Sequence, residues 1–170
     1  MPYGKSDYKV IRVTPTLDTN TYGAGDVLFN SVAIPNAVLG KGGCSKLVAA
    51  FLHSSNTDNM TFEIIFTENA ATFGTQNETA GISDSDLKAA GILGYMGCES
   101  ADATTNFIDA SEIKRIYDSR SDASASTPQA DPILLQAADD STSVYFAAIG
   151  GSSVAYAADD LQFIFHIEYR

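Results

Sequence analysis

Alternation is the feature that most constrains what this chain can fold into. Between Ser143 and Ile149, and again between Leu161 and Tyr169, apolar and polar side chains take turns around a Gly150-Gly151 turn and an Asp159-Asp160 turn. Leu161, Phe163, Phe165, Ile167 and Tyr169 fall on one side of an extended segment. Gln162, His166 and Glu168 fall on the other, with Ile164 the exception. A period of two is the signature of a β-strand with one buried face. A long aromatic strand of this kind, tied into a sheet, predicts an all-β antiparallel sandwich.

The remaining segments fit that class. Tyr8 to Pro15 predicts a first strand, ended by Pro15 because proline cannot donate to a ladder. Tyr22 to Asp26 is a glycine turn. Val27 to Val38 carries Leu28, Phe29, Val32 and Ile34 with interruptions at Asn30-Ser31 and Pro35-Asn36, which predicts two short strands or one bulged strand. Cys44 to His53 is a continuous apolar run that glycines bound, and Met60 to Phe66 follows as its neighbour. Asn106 to Asp118 returns to strand character, and Ile133 to Leu135 reads as a short edge strand. The Ser119 to Pro132 stretch has no period and reads as an exposed, mobile loop.

One helix is expected, beginning at Ser83. Asp86 stands three residues on, in the arrangement of a capping box, and acidic side chains suit the positive end of a helix dipole. Leu87, Ala90, the Ile92-Leu93 pair and Gly94 continue at helical spacing, while Gly91, Gly94 and Gly97 weaken the element. The expectation is a short helix that closes one open end of the sandwich.

Length and composition set the bounds. The 170 residues fit a single domain spanning residues 1–170, and 45% hydrophobic with 18% charged residues belongs to a packed globule. Twenty-one acidic against ten basic residues give a net charge of −11, which repels phosphate backbones. No nucleic-acid partner is expected. Lys41 with Lys46, and Lys114 with Arg115, are groups too small for a basic patch and read as solvated surface charge. Cys44 and Cys98 lack the spacing of a zinc site or a disulfide framework and read as small buried or half-buried residues of a protein made in a reducing cytoplasm. No apolar run reaches the ~20 residues of a membrane helix, and the N-terminal segment has no leader-like run. A soluble protein with no membrane partner is expected. Two matches to the N-glycosylation pattern, at Asn59 and Asn77, then have no secretory context.

Chemistry-bearing groups are sparse. A hydrolase would need a nucleophile, a base and an orienting acid together, and the only histidines are His53 and His166, with no nucleophile-elbow motif. Asp84 with Asp86, Asp139 with Asp140, and Asp159 with Asp160 could offer oxygens to calcium, but helix capping and turn formation account for them. Gly40-Lys41-Gly42-Gly43 lacks the ending of a phosphate loop. The expectation is a protein that is not an enzyme, with no catalytic residue, no cofactor and no metal.

Five strings carry a resemblance: VTPTLDTNTYGAGDVL (Val13 to Leu28), AIPNAV (Ala33 to Val38), GKGGCSKL (Gly40 to Leu47), ISDSDL (Ile82 to Leu87) and STSVYFAAIGGSSVAYAADDLQFIF (Ser141 to Phe165). Together they resemble virion structural proteins of tailed bacteriophages, particularly marine and cyanobacterial ones. The resemblance implies a jelly-roll-like sandwich displayed on the capsid surface as a decoration or cement protein, with the major capsid protein as partner. It brings no catalytic residues. A shell position with threefold symmetry would make a homotrimer natural. The Met1 to Asp7 arm, with Tyr3 as an amphipathic anchor, is then a candidate for ordering on the shell. A different class of function is a carbohydrate-binding or host-recognition module of a head fibre or tail, with Tyr95 or Tyr156 stacking sugars. A hydrolase assembled from distant loops is a third.

Overall fold

The computed structural model describes residues 7–56, 60–98, 104–108, 111–116 and 132–169. The strands are β1 (Tyr8–Val13), β2 (Val27–Ile34), β3 (Cys44–Ser54), β4 (Phe62–Thr67), β5 (Ile92–Cys98), β6 (Thr104–Ile108), β7 (Ser111–Ile116), β8 (Ile133–Gln136), β9 (Val144–Gly150) and β10 (Leu161–Tyr169), with helix α1 (Asp84–Ala90) before β5. All ladders between them are antiparallel, and their order is nested. β1 pairs with β10, β2 with β9, β3 with β8, and β4 with β5. A chain that pairs outermost with outermost and then folds over on itself is a jelly roll. Its first sheet runs β1-β10-β3 and its second runs β2-β9-β4-β5.

The hairpin β6–β7 is an addition to this plan. It widens the first sheet by pairing with the far half of β3, so that Ala50–Ser54 lie beside β7 while Cys44–Leu47 lie beside β8. β2 is one strand with two register shifts, as its interrupted pattern predicts. The arm residues 1–6, Tyr3 among them, and nearly all of the Ser119 to Pro132 loop lie outside the described residues.

Alternation decides what fills the space between the sheets. Leu161, Phe163, Phe165 and Ile167 of β10 are all buried, as the periodicity predicts. They meet Phe62, Ile64 and Phe66 of β4 and Phe146 and Ala148 of β9 from the other layer. Six phenylalanines interlock there. Phe146 sits at the hub, with ring centroids 5.3 Å from Phe29, 5.2 Å from Phe163 and 5.0 Å from Phe165, each edge to face. That orientation sets the positive ring edge against a negative face, and each such pair adds about 0.5–1.5 kcal/mol beyond burial.

β4, expected as the neighbour of β3, lies in the other sheet between β9 and β5, and three further expectations need correction. First, Ile92–Cys98 is a strand, not a continuation of the helix: Ser83 caps α1 through its Oγ, which accepts from Asp86 N, and Gly91 ends it in the left-handed conformation at φ 66°. Gly94 is there for a close approach between layers, because a Cβ at that position would lie 3.2 Å from Ile133 of β8. Second, α1 does not close an end of the sandwich. Leu87, Ile82, Ala80 and Ala71 pack with Phe73 onto Val27, Ala147, Ile65 and Ile149, and the strand members Ile65, Ala147 and Ile149 point away from the main core. The segment between β4 and β5 is thus a crust over the outer face of the second sheet. Third, Lys114 is not a solvated surface charge; it is 2% exposed, on the same face of β7 as the buried Ile116.

A polar knot fastens the crust. Asn30 holds the loop by donating to Gly74 O and accepting from Phe73 N. Gln76 Nε2 donates to Thr16 O, Leu28 O and the Tyr22 hydroxyl, which itself accepts from Asp18 N at 2.7 Å. Desolvation by burial raises the Tyr22 phenol above its ordinary value, outweighing the hydrogen bonds from Asp18 and Gln76 that lower it.

Candidate functional site

Both sheets have an outer face, and among the described residues only one of them is covered, by the crust. The other outer face belongs to β1, β10 and β3. Strand register assigns its members: Tyr8, Val10 and Arg12 stand opposite Glu168, His166 and Ile164. Ile164, His166 and Glu168 in turn stand opposite Phe51, Ala49 and Lys46. His53 lies opposite Gln162 at one end of the face, and Leu134 of β8 lies beside Lys46 at the other. A register shift between His166 and Ile167 leaves Val48 unpaired and turned to solvent.

The surface so built is apolar for an exterior. Seven large hydrophobic side chains are prominently exposed among the described residues, and four of them (Tyr8, Val10, Val48 and Leu134) belong to this face. Half-buried Ile164, Phe51 and Ala49 fill the middle. The His166 ring leans on Phe51 at 5.1 Å. Scattered apolar residues are ordinary on a surface, but a contiguous patch marks a place where something docks.

Charge separates along the same line. On this face Arg12 and Lys46 stand against Glu168, which leaves +1 (two minus one) in a chain whose total is −11. Both histidines are on this face as well. Across the sandwich, residues 63–91 carry Glu63, Glu68, Glu78, Asp84 and Asp86 against Lys88, which leaves −4 (five minus one).

The other candidates are dispersed. His53 and His166 share the face but stand four register positions apart on adjacent strands, roughly 13 Å at ~3.3 Å per residue. Neither histidine ring hydrogen-bonds to a serine or carboxylate among the described residues. Asp84 and Asp86 open α1, where Ser83 Oγ donates to Asp86 Oδ2 at 2.7 Å. Asp160 Oδ2 accepts from Ala157 N at 2.6 Å and closes a turn, and Asp139 and Asp140 form the turn that Ser141 N closes on Ala138 O. No group of three His, Cys, Asp or Glu residues able to hold a metal occurs among the described residues. Gly40 to Gly43 is a turn, with Gly43 N donating to Gly40 O. Cys44 is half-buried and Cys98 buried, and the two form no disulfide. A shallow depression of about 320 Å³ beside α1 is lined by alanines with Thr72 and Asp86, too few convergent polar groups for a ligand site.

Tyr156 requires a correction too. It is 5% exposed and packs edge to face on Tyr22 at 5.7 Å, so its ring cannot stack a sugar. Tyr95 remains exposed on β5.

The uncovered face left a trace in the sequence. Ile164 breaks the alternation of β10, and the continuous apolar run of β3 supplies apolar side chains to both of its sides. Either signal marks a strand whose outward face is not simply wet. No family model matches the chain, and no curated protein and no solved structure is significantly similar to it.

Proposed function

We propose that this chain is a virion structural protein that decorates and cements a bacteriophage capsid, acting by adhesion rather than turnover. The observation that carries the reading is the outer face of β1, β10 and β3, bare among the described residues: an apolar, cation-bearing plane on a jelly roll whose opposite face is already covered. The resemblance of the Val13–Leu28 and Ser141–Phe165 strings to phage virion proteins supports the same role. A cement protein stabilises a shell by binding the assembled state and not the disassembled one, which requires a preformed surface more than a cleft. The major capsid protein is the partner this role names, and a homotrimer at a threefold position is the arrangement that shell symmetry favours.

The test is the composition of particles. Mass spectrometry of purified virions should find this chain in many copies, and a cryo-EM map should show a jelly roll on the outside of the head. Its presence in infected-cell lysate with none in purified particles would overturn the reading.

A further inference from the structure

The crust does more than cover a face. We infer that its stretch 71–80 is an edge guard: it occupies the hydrogen-bonding edge of β2, and without it β2 pairs with β2 of a second copy of this chain.

β2 stands at the end of the order β2-β9-β4-β5, so one row of its N–H and C=O groups faces away from β9. Such a row is a template for another strand. The end strand of the other sheet, β1, carries Lys9 and Arg12, and edge charges of this kind discourage pairing. β2, with the sequence VLFNSVAI, has neither a charge nor a proline.

The 71–80 stretch takes up the row instead. Val27 N donates to Glu78 O and Val27 O accepts from Asn77 N, both at 2.9 Å. Leu28 O accepts from Gln76 Nε2 at 2.8 Å, and Ser31 is held twice, its N donating to Ala71 O at 3.4 Å and its Oγ accepting from Ala71 N at 2.9 Å. β2 has one extra residue for this purpose: Phe29 and Val32 are three apart where their partners Ala148 and Phe146 are two apart. Asn30 and Ser31, between them, are the residues whose side chains grip the stretch.

The guard is not itself a strand. It meets the β2 edge through isolated bridges, Asp26 with Thr79 antiparallel and Val27 with Gln76 parallel. Positive φ at Gly74 (148°) and Asn77 (62°) breaks any extended run. A regular strand would satisfy β2 and present a new edge of its own, whereas an irregular one satisfies β2 and ends the sheet.

The freed edge fits a second copy. Two β2 strands meet antiparallel about a twofold axis, and two four-stranded sheets become one of eight. Neither copy brings a charge to the seam, so no like-charge pair opposes it. Val27, Ala147 and Ile149, which the guard covers, add apolar area beside the seam.

Two variants of the full chain loosen the guard. Asn30→Ala/Gln76→Ala removes side-chain fastenings, and Phe73→Asp sets a carboxylate in the apolar seat. Each is also made with Ser31→Lys, which puts a cation on the edge of β2, and variants are compared when β10 keeps its protection from amide exchange. Residues 71–80 should exchange at least ten-fold faster in the loosened variants, and sedimentation should show their mass rising with concentration to at least twice that of wild type. Adding Ser31→Lys should restore the wild-type mass while exchange stays fast. Wild-type mass in a variant whose guard exchanges fast would overturn the inference. Association that Ser31→Lys leaves untouched would do the same by placing the contact elsewhere, and unchanged exchange in both variants would show that these residues do not hold the guard.

Discussion

Phe146 is the place to test whether interlocked rings hold the two sheets together. Truncating it to alanine removes a fully buried ring that touches Phe29, Phe163 and Phe165 edge to face and lies 6.4 Å from Phe66. Buried Phe→Ala changes cost about 3–5 kcal/mol, and a site fixed by strands on both sides collapses poorly, so the expected loss is near 5 kcal/mol. Phe146→Leu keeps most of the volume and forfeits the ring geometry. Three edge-to-face pairs at the low end of ~0.5 kcal/mol each, with a fraction of a kcal/mol for imperfect repacking, predict about 2 kcal/mol. A domain of this size holds about 5–15 kcal/mol in total, so the alanine variant is expected near the edge of folding and the leucine variant is the quantitative probe. The assay is urea unfolding followed by far-ultraviolet circular dichroism, since the chain has no tryptophan. Midpoints should fall with an unchanged slope, because the native surface is unaltered. A loss below about 1 kcal/mol for Phe146→Leu, or equal losses for the two variants, would refute the argument that ring geometry contributes beyond volume.

Three further outcomes follow from other parts of the fold. Burial raises the Tyr22 phenol, so the folded state holds its proton more tightly than the unfolded chain; the stability this adds is present below about pH 10 and is lost as pH rises beyond it. The melting-temperature gap between wild type and Tyr22→Phe should therefore narrow in alkaline buffer, and parallel curves would refute the assignment. Gly43→Ala would set a Cβ 2.8 Å from the Gly40 carbonyl oxygen, an overlap with backbone that should cost about 1–3 kcal/mol in the same unfolding assay, and a neutral result would show that the turn gives way. Phe73→Ala should loosen the crust alone: amide exchange should accelerate in residues 71–91 while β9 and β10 stay protected, whereas uniform acceleration would mean that crust and core unfold as one.

Period-two strands declare themselves, and β10 is the clearest case: each of its core residues is named by alternation alone. The N-cap of α1 was equally legible, because Ser83 and Asp86 act within one turn. What sequence obscured was longer in range. Leu87, Ala90 and Leu93 fall at helical spacing although a helix–strand junction at Gly91 separates them, since periodicity carries no marker of where backbone direction changes. The glycines of β5 read as helix weakeners because the side chain that needs the space, Ile133, lies some forty residues on. Lys114 and Tyr156 were misplaced for a related reason: burial of a charged side chain in a strand, or of a tyrosine in a loop, depends on partners that no local pattern names. The bare face was half visible. Ile164 and the apolar run of β3 flagged it, but alternation cannot say which of two outer faces the β4–β5 connection will cover.

Nested pairing also dictates when this protein can come into being. Tyr8–Val13 finds its ladder only on residues 163–168, and the rings of Phe163 and Phe165 complete a core begun at Phe29. During synthesis the first strand must wait, unpaired, until residues 163–168 have left the ribosome. Maturation is therefore governed by distant closures that tie up slowly, and the short β6–β7 hairpin is the natural place for order to start and spread outward.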